Sequence, residues 1–380
     1  MAKIARIPIT NVYKDGDYTG LILVGPKRRP MNVILDTGSS LLAVDGRKYT
    51  PDVAGGDQVT SLAQTATYGD GSTWAGAMLK SSVTVGQAGA QVTVAAANVA
   101  VASAESSGVF GSADGILGLA YAPLDDAYQM PGPTWPGPHT AQQITATGKK
   151  VPVAPYLTQL AAEGPVSDRI SFYTRRSFIH EGSGGAGDPL NQGWMIVGGG
   201  EESTDLYAGA FHTVKIMADD WYNTNLKAIR VGDTAAIAVG ARGPQGMPSN
   251  SIVDSGTNTL SFGPKLLAEL VSRFSPSQQA QLTPGIVENR PVPVADLRLP
   301  EWPALSFVLE GDAGDVTLAV APGDYWQVNA PKAGLATAAI AKGTDGFTIL
   351  GLPLMNGYFT IFDGEADKGR GAIKFATSKR

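Results

Sequence analysis

Val33-Ile34-Leu35-Asp36-Thr37-Gly38-Ser39-Ser40 is the stretch that decides how this chain is read. Three apolar residues predict a buried strand that ends in one carboxylate. Gly38 then supplies the backbone freedom of a sharp turn. Asp36 is therefore expected at a strand tip, in a loop whose Thr37 and Ser39 hydroxyls and backbone N–H groups can donate to the carboxylate and keep it ionised. One such tripeptide is an ordinary turn. A second copy, Ser251-Ile252-Val253-Asp254-Ser255-Gly256-Thr257, repeats the order of apolar strand, Asp, hydroxyl residue, Gly, hydroxyl residue. One copy lies in each half of the 380-residue chain. Behind each comes an echo: Gly115-Ile116-Leu117-Gly118-Leu119 in the first half, Thr348-Ile349-Leu350-Gly351-Leu352 in the second. The doubled order points to an internal duplication. Each half is then one lobe, and two strand-tip carboxylates can meet across a pseudo-twofold axis.

Composition narrows the chemistry. The chain is 43% hydrophobic and 17% charged, with 47 Gly and 25 Pro, which suits a turn-rich β protein better than a helical one. Net charge is −5 and the one basic cluster, Lys27-Arg28-Arg29, falls between two strand-like runs as a hairpin tip, so nucleic acid is not an expected partner. With no cysteine, disulfides, thiol nucleophiles and zinc–thiolate sites are excluded. The three histidines, His139, His180 and His212, are far apart, in no ligand spacing, and are read as surface or loop residues; no Gly-x-Ser-x-Gly elbow supports a serine nucleophile. No metal and no cofactor are expected, and carboxylates are left as the best-placed acid–base groups. The apolar run Val92 to Ala104 is too short to span a bilayer and carries Asn98 and Ser103, so no membrane association is expected.

Along the chain, Ile4 to Val24 predicts strand–turn–strand about Lys14-Asp15-Gly16-Asp17, and Thr65 to Met78 a hairpin with Gly69-Asp70-Gly71 at its tip. Pro123 to Lys150 holds Pro123, Pro131, Pro133, Pro136 and Pro138 and reads as a long loop, either bordering a cleft or packed as a surface excursion. Tyr156 to Glu163, ending at Gly164, is a short helix candidate, and Ile170 to Thr174 a strand. Glu181 to Gly187 reads as a flexible Gly-rich loop. Trp194 to Gly200 is expected to open the second lobe. Pro264 to Phe274 is the clearest amphipathic helix, with Leu266, Leu267, Leu270 and Val271 on one face. Phe359 to Phe362 and Ala372 to Phe375 predict a closing hairpin. No stretch alternates strands with long helices, so the fold is read as all-β with a few short helices.

At Asp36-Thr37-Gly38-Ser39-Ser40, Asp254-Ser255-Gly256-Thr257, Tyr68-Gly69-Asp70-Gly71-Ser72 and the two Ile-Leu-Gly segments the chain resembles the pepsin-like aspartic proteases, from about Ile7 to Phe375. The resemblance implies a bilobal acid-protease fold of two pseudo-twofold-related β-barrel lobes with a cleft between them, residues 1–175 forming one lobe and 176–380 the other. It implies that Asp36 and Asp254 are the catalytic pair. Thr37 and Ser255 would lock the loops together, Ser39 and Thr257 would donate to the outer carboxylate oxygens, and Gly38 and Gly256 would admit the peptide backbone. Tyr68, Gly69 and Asp70 would form a flap over polypeptide substrate, and Ile116 a wall of the pocket. Statine-type inhibitors are implied as ligands, and a monomer as the working form. The lack of cysteine and of a visible signal resembles a bacterial, cysteine-free branch and suggests a cytoplasmic enzyme, or a secreted one trimmed of its signal and prosegment.

Two close carboxylates cannot both ionise easily, so one proton is shared. The ionised member can take a proton from water while the protonated one polarises a peptide carbonyl. The expected activity is thus an aspartic endopeptidase cutting between bulky hydrophobic residues at acidic pH. The rivals are a catalytically silent pepsin-fold binding or inhibitor protein, and a two-carboxylate glycosidase, which would leave the duplication unexplained. Two departures from the family pattern stand out. Ala43 occupies the place of the tryptophan that usually bonds the flap tyrosine, and Leu352 follows the second Ile-Leu-Gly where Asp is common.

Overall fold

The computed structural model describes residues 3–106, 108–137, 139–163, 166–182, 184–241 and 243–380. In the first half, alternating apolar residues make β1 (Ala5–Lys14), β2 (Asp17–Val24) and β3 (Arg29–Asp36), the last carrying Asp36 at its end. They are followed by β4 (Leu42–Asp45), β5 (Gln58–Thr67), β6 (Thr73–Val85), β7 (Val92–Glu105) and β8 (Gly115–Gly118). Lys27 and Arg28 lie in the turn between β2 and β3, as the charge pattern predicts.

Six of these strands close on themselves. β2 pairs β3, β3 runs parallel to β8, β8 pairs β4, β4 runs parallel to β7, β7 pairs β6, and β6 returns to β2. Closure removes exposed edges and surrounds a core that includes Tyr18, Val33, Leu35, Leu79, Val99 and Leu117. The second half repeats the central pairing pattern. Ser251–Val253 runs parallel to Thr348–Leu350, which pairs antiparallel with Leu260–Phe262, itself parallel to Ile340–Lys342. Even the register is echoed, with Ile34 opposite Ile116 and Ile252 opposite Ile349. The fold is all-β and bilobal.

A shared antiparallel sheet joins the halves. β1 pairs β12 (Gln192–Val197), which pairs β11 (Arg169–Tyr173); then come Tyr358–Asp363, Ala372–Ser378 and β13 (Tyr207–Lys215). The segment expected to open the second lobe is therefore β12 of this shared sheet. The expected division at residue 175 falls just past β11.

The Pro-rich stretch differs from a plain loop. It forms β9 (Asp126–Gln129), helix α1 (Ala141–Thr147) and β10 (Lys149–Pro152), with β9 paired to both β5 and β10. Its prolines sit outside these elements except at the very end, where Pro152 closes edge strand β10; this is why proline content hides them. α1 starts on a capping box in which Thr140 and Gln143 each bond the other's backbone. Pro138 lies outside the described residues. Helix α2 (Tyr156–Glu163) and the helix Pro264–Ser272, with Leu267 and Leu270 buried, form as expected; Gly164 lies outside the described residues. The Gly-rich segment is not an open linker. It folds into tight turns at Gly185–Gly187 and Pro189–Asn191, tied by Asp188 to His180 Nδ1 at 2.6 Å and by Asn191 Nδ2 to the Gly185 carbonyl at 3.0 Å; Ser183 is outside the described residues. His139 and His180 sit in loops and His212 is exposed on β13. No helix among the described residues is long and apolar enough to cross a membrane.

Candidate active site

The duplicated strands deliver their carboxylates to one point. Asp36 ends β3 and Asp254 follows Ser251–Val253, and each carboxyl lies against the glycine of the opposite loop. Each loop satisfies its own carboxylate in the same way. The Gly38 N–H donates to Asp36 Oδ1 at 2.8 Å and the Ser39 hydroxyl to Oδ2 at 2.5 Å. The Gly256 N–H donates to Asp254 Oδ1 at 2.9 Å and the Thr257 hydroxyl to Oδ2 at 2.5 Å.

The loops also hold each other. The Thr37 N–H donates to Ser255 Oγ at 3.0 Å and the Ser255 N–H to Thr37 Oγ1 at 2.8 Å. Each hydroxyl then donates across the axis, Thr37 to the Val253 carbonyl at 3.3 Å and Ser255 to the Leu35 carbonyl at 2.8 Å. Both side chains are buried, so every donor and acceptor needs its partner. Glycine is required for a specific reason here. A Cβ on Gly38 would lie 2.8 Å from Asp254 Oδ1, and one on Gly256 would collide with Asp36 Oδ1. The Ile-Leu-Gly segments back the loops from below. The Leu119 N–H donates to the Asp36 carbonyl at 2.7 Å and the Leu352 N–H to the Thr257 carbonyl at 2.8 Å, with Gly118 and Gly351 too close to the loop backbone to carry side chains. Leu352 is fully buried, so apolar packing stands where the family often has Asp.

Burial raises the affinity of Asp36 for its proton, and the charge of Asp254 raises it further, against the pull of Ser39 and the Gly38 N–H. Asp254 is raised too, by burial, but Thr257, the Gly256 N–H, Asp36 and the Gly38 N–H all favour its ionised form. Both carboxyls thus hold a proton more readily than a free aspartate, and the close pair favours sharing one.

Over the dyad, β5 and β6 form the expected hairpin. The Tyr68 N–H donates to the Ser72 carbonyl at 2.9 Å, Gly71 takes φ +83°, and Asp70 Oδ1 accepts from the Ser72 N–H at 2.8 Å at an exposed tip. Tyr68 and Gly69 line a cleft pocket of about 370 Å³ together with the Gly38–Leu41 loop; Asp70 does not. Ile116 is buried beneath the hairpin in a cluster with Ile34, Leu41, Trp74 and Phe110, against which Tyr68 packs.

Two residues of the site escape a reading by local motif. Trp74, on the returning strand of the flap, donates its indole N–H to the Tyr68 hydroxyl at 2.9 Å. It packs in the same cluster as Ala43, which is fully buried. The tryptophan missing after the first Asp-Thr-Gly is thus supplied from within the flap, and the small side chain at 43 leaves room for it. Trp221, from the second half, donates its indole N–H to the Gly38 carbonyl at 2.9 Å and lines the pocket. Trp74 stands three positions past the Gly69-Asp70-Gly71 tip, where its spacing alone does not say which residue it meets, and nothing local marks Trp221. Among the described residues no cluster of His, Cys, Asp or Glu is arranged to hold a metal ion.

A family profile described as eukaryotic aspartyl protease matches residues 17–132 and 187–377. The chain belongs to this pepsin-like family. Both Asp-hydroxyl-Gly loops, the flap and both Ile-Leu-Gly segments fall within the matched blocks, whereas residues 133–186 fall between them. No curated protein matches the chain at a significant level.

Proposed function

We propose that this pepsin-like protein is an aspartic endopeptidase in which Asp36 and Asp254 activate water between them. The observation that carries the proposal is the reciprocal bonding of the two loops, which holds two buried carboxyls together, both with a raised affinity for a proton. Asp254 takes a proton from the water as its oxygen attacks the peptide carbonyl carbon. Asp36 gives its proton to the carbonyl oxygen, so charge does not build up there. The resulting gem-diol collapses as Asp254 passes the water-derived proton to the amide nitrogen and Asp36 takes one back from a gem-diol hydroxyl. The C–N bond breaks, and acid and amine are released with no covalent intermediate. Leu41, which lines the pocket and packs in the same cluster as the buried Ile116, favours bulky hydrophobic residues beside the scissile bond. A statine hydroxyl, which mimics the gem-diol, fits the same position. One chain supplies both carboxyls, so a monomer is sufficient.

The cycle needs one proton on the pair. Activity is therefore lost as pH rises past the raised value of Asp36, and also as pH falls and Asp254 becomes protonated. A bell-shaped profile of kcat/KM against pH, with its maximum on the acid side of neutral, is expected. The deciding experiment is digestion of an unfolded protein by pure wild type, Asp36→Asn and Asp254→Asn. Each substitution should reduce kcat at least a thousandfold with thermal stability retained. Retained proteolysis in either variant sinks the dyad assignment. No digestion by the wild type at any pH favours a silent binding protein.

A further inference from the structure

The excursion β9–α1–β10 forms one side of the cleft, and most of it lies in residues 133–186, between the blocks that the family profile matches. β9 extends the flap sheet by pairing with β5, Leu62 opposite Gln129 and Ala63 opposite Tyr128, and β10 covers its free edge, with Lys150 opposite Tyr128 and Pro152 opposite Asp126. Side chains two apart on a strand share a face, and so do residues directly opposite one another. Asp126, Tyr128 and Lys150 are therefore on one face, and all three line the pocket beside the dyad.

Asp126 and Lys150 are the two charged residues of that lining, and Lys150 Nζ lies 2.5 Å from Asp126 Oδ2. They are not equivalent. The Asp126 side chain is 27% exposed on a strand whose backbone is held by Gln64, which donates to the Asp126 carbonyl at 3.2 Å; the Lys150 side chain is 61% exposed. An ammonium on a four-carbon stem has three donors, and one carboxylate partner leaves others free to turn toward a ligand. The neighbouring Asp125 is buried and its Oδ1 accepts from Gln64 Nε2 at 2.8 Å, so it faces away from incoming substrate.

We propose that Lys150 is a specificity-determining residue, recognising an acidic side chain of the bound peptide at one fixed position from the scissile bond, with Asp126 holding the ammonium at the pocket rim in its absence. The proposal deepens the protease reading above and rests on the same cleft, but it concerns recognition rather than hydrolysis.

The test uses statine-containing peptides that carry Glu, Gln or Lys at successive positions, titrated by calorimetry into wild type, Lys150→Met and Lys150→Glu. The unmodified peptides are assayed for cleavage in parallel. Wild type should bind Glu over Lys at one position by about tenfold, less at high salt because an exposed pair is screened. The ratio should fall toward one in Lys150→Met and invert in Lys150→Glu. The same ratio in all three proteins, or no position with a charge preference, overturns the proposal. Charge-selective binding without cleavage of any peptide keeps it and discards the protease reading. Cleavage without charge selectivity does the reverse, and failure to bind any member of the series overturns both.

Discussion

At the scale of single residues, Trp74 and Ala43 are best understood together. A small residue on β4 and a large one on β6 produce a bond to Tyr68 that a tryptophan near the first Asp-Thr-Gly loop would otherwise give. Trp74→Phe keeps most of the packing and removes the donor. The loss of one such bond is worth about 1 kcal/mol, so kcat/KM should fall about fivefold with a nearly unchanged melting temperature. Steady-state kinetics alongside a thermal melt would check this. Asp125 is a second case. Burial raises its pKa to about 7, with Asp126 adding to the effect and Gln64 opposing it. The unfolded chain titrates near about 4. No penalty exists below that value; it develops as pH rises and is complete above about 7, where it reaches about 4 kcal/mol at most. Asp125→Asn keeps an acceptor for Gln64 and should raise the melting temperature at pH 8 but not at pH 4. An equal change at both values would rule out this source of strain. Both residues were hard to read from sequence for the same reason. Their roles depend on what lies across the sheet, whereas Asp36 and Asp254 declare themselves through their immediate neighbours. Trp221 is the extreme case, since its partner Gly38 is 183 residues away.

At the scale of elements, the flap, the loop-bearing strands and the helix Pro264–Ser272 were legible because each has a strong local signal: a Gly-rich tip, an apolar run closed by Asp-hydroxyl-Gly, a helical stripe. The β9–α1–β10 wall was not. Its strands are four residues long and its prolines fall mainly in the connections, so composition suggests loop where geometry finds a hairpin. One side chain, Ile144, anchors the helix of this wall. It is fully buried against Ala63 and Ala75 of the flap strands, with Tyr128 and Met130 around it. Ile144→Ala leaves a cavity costing about 3 kcal/mol. Because α1 has no other buried residue, the loss should be local. Hydrogen exchange should quicken in β9 and β10 and stay unchanged in Tyr358–Asp363. Uniform acceleration over the whole molecule would contradict the idea of a separately anchored wall.

At the scale of the whole molecule, the dyad is also a fastener. Thr37 and Ser255 each satisfy the other's N–H, so removing either hydroxyl strands a buried donor at a cost of about 2 kcal/mol. Thr37→Ala and Ser255→Ala should each destabilise the protein by that order. The double variant should cost about 1 kcal/mol less than the sum, because the second change removes hydroxyl bonds in an interface already opened. Strict additivity in denaturant unfolding would mean that the loops are not coupled. The shared sheet has a consequence in time as well as in space. As the chain leaves the ribosome, the first barrel has all its strands once β8 is made, yet β1, already paired to β2, must wait for Val197 before its other edge is covered, and Ser251–Val253 must wait for Thr348–Leu350. Pairings so distant in sequence form late. The half-made protein therefore carries a folded lobe with a single carboxyl and nothing to oppose it. On the proposed function, hydrolytic capacity comes only with the last strands, so the order of synthesis sets when it can begin.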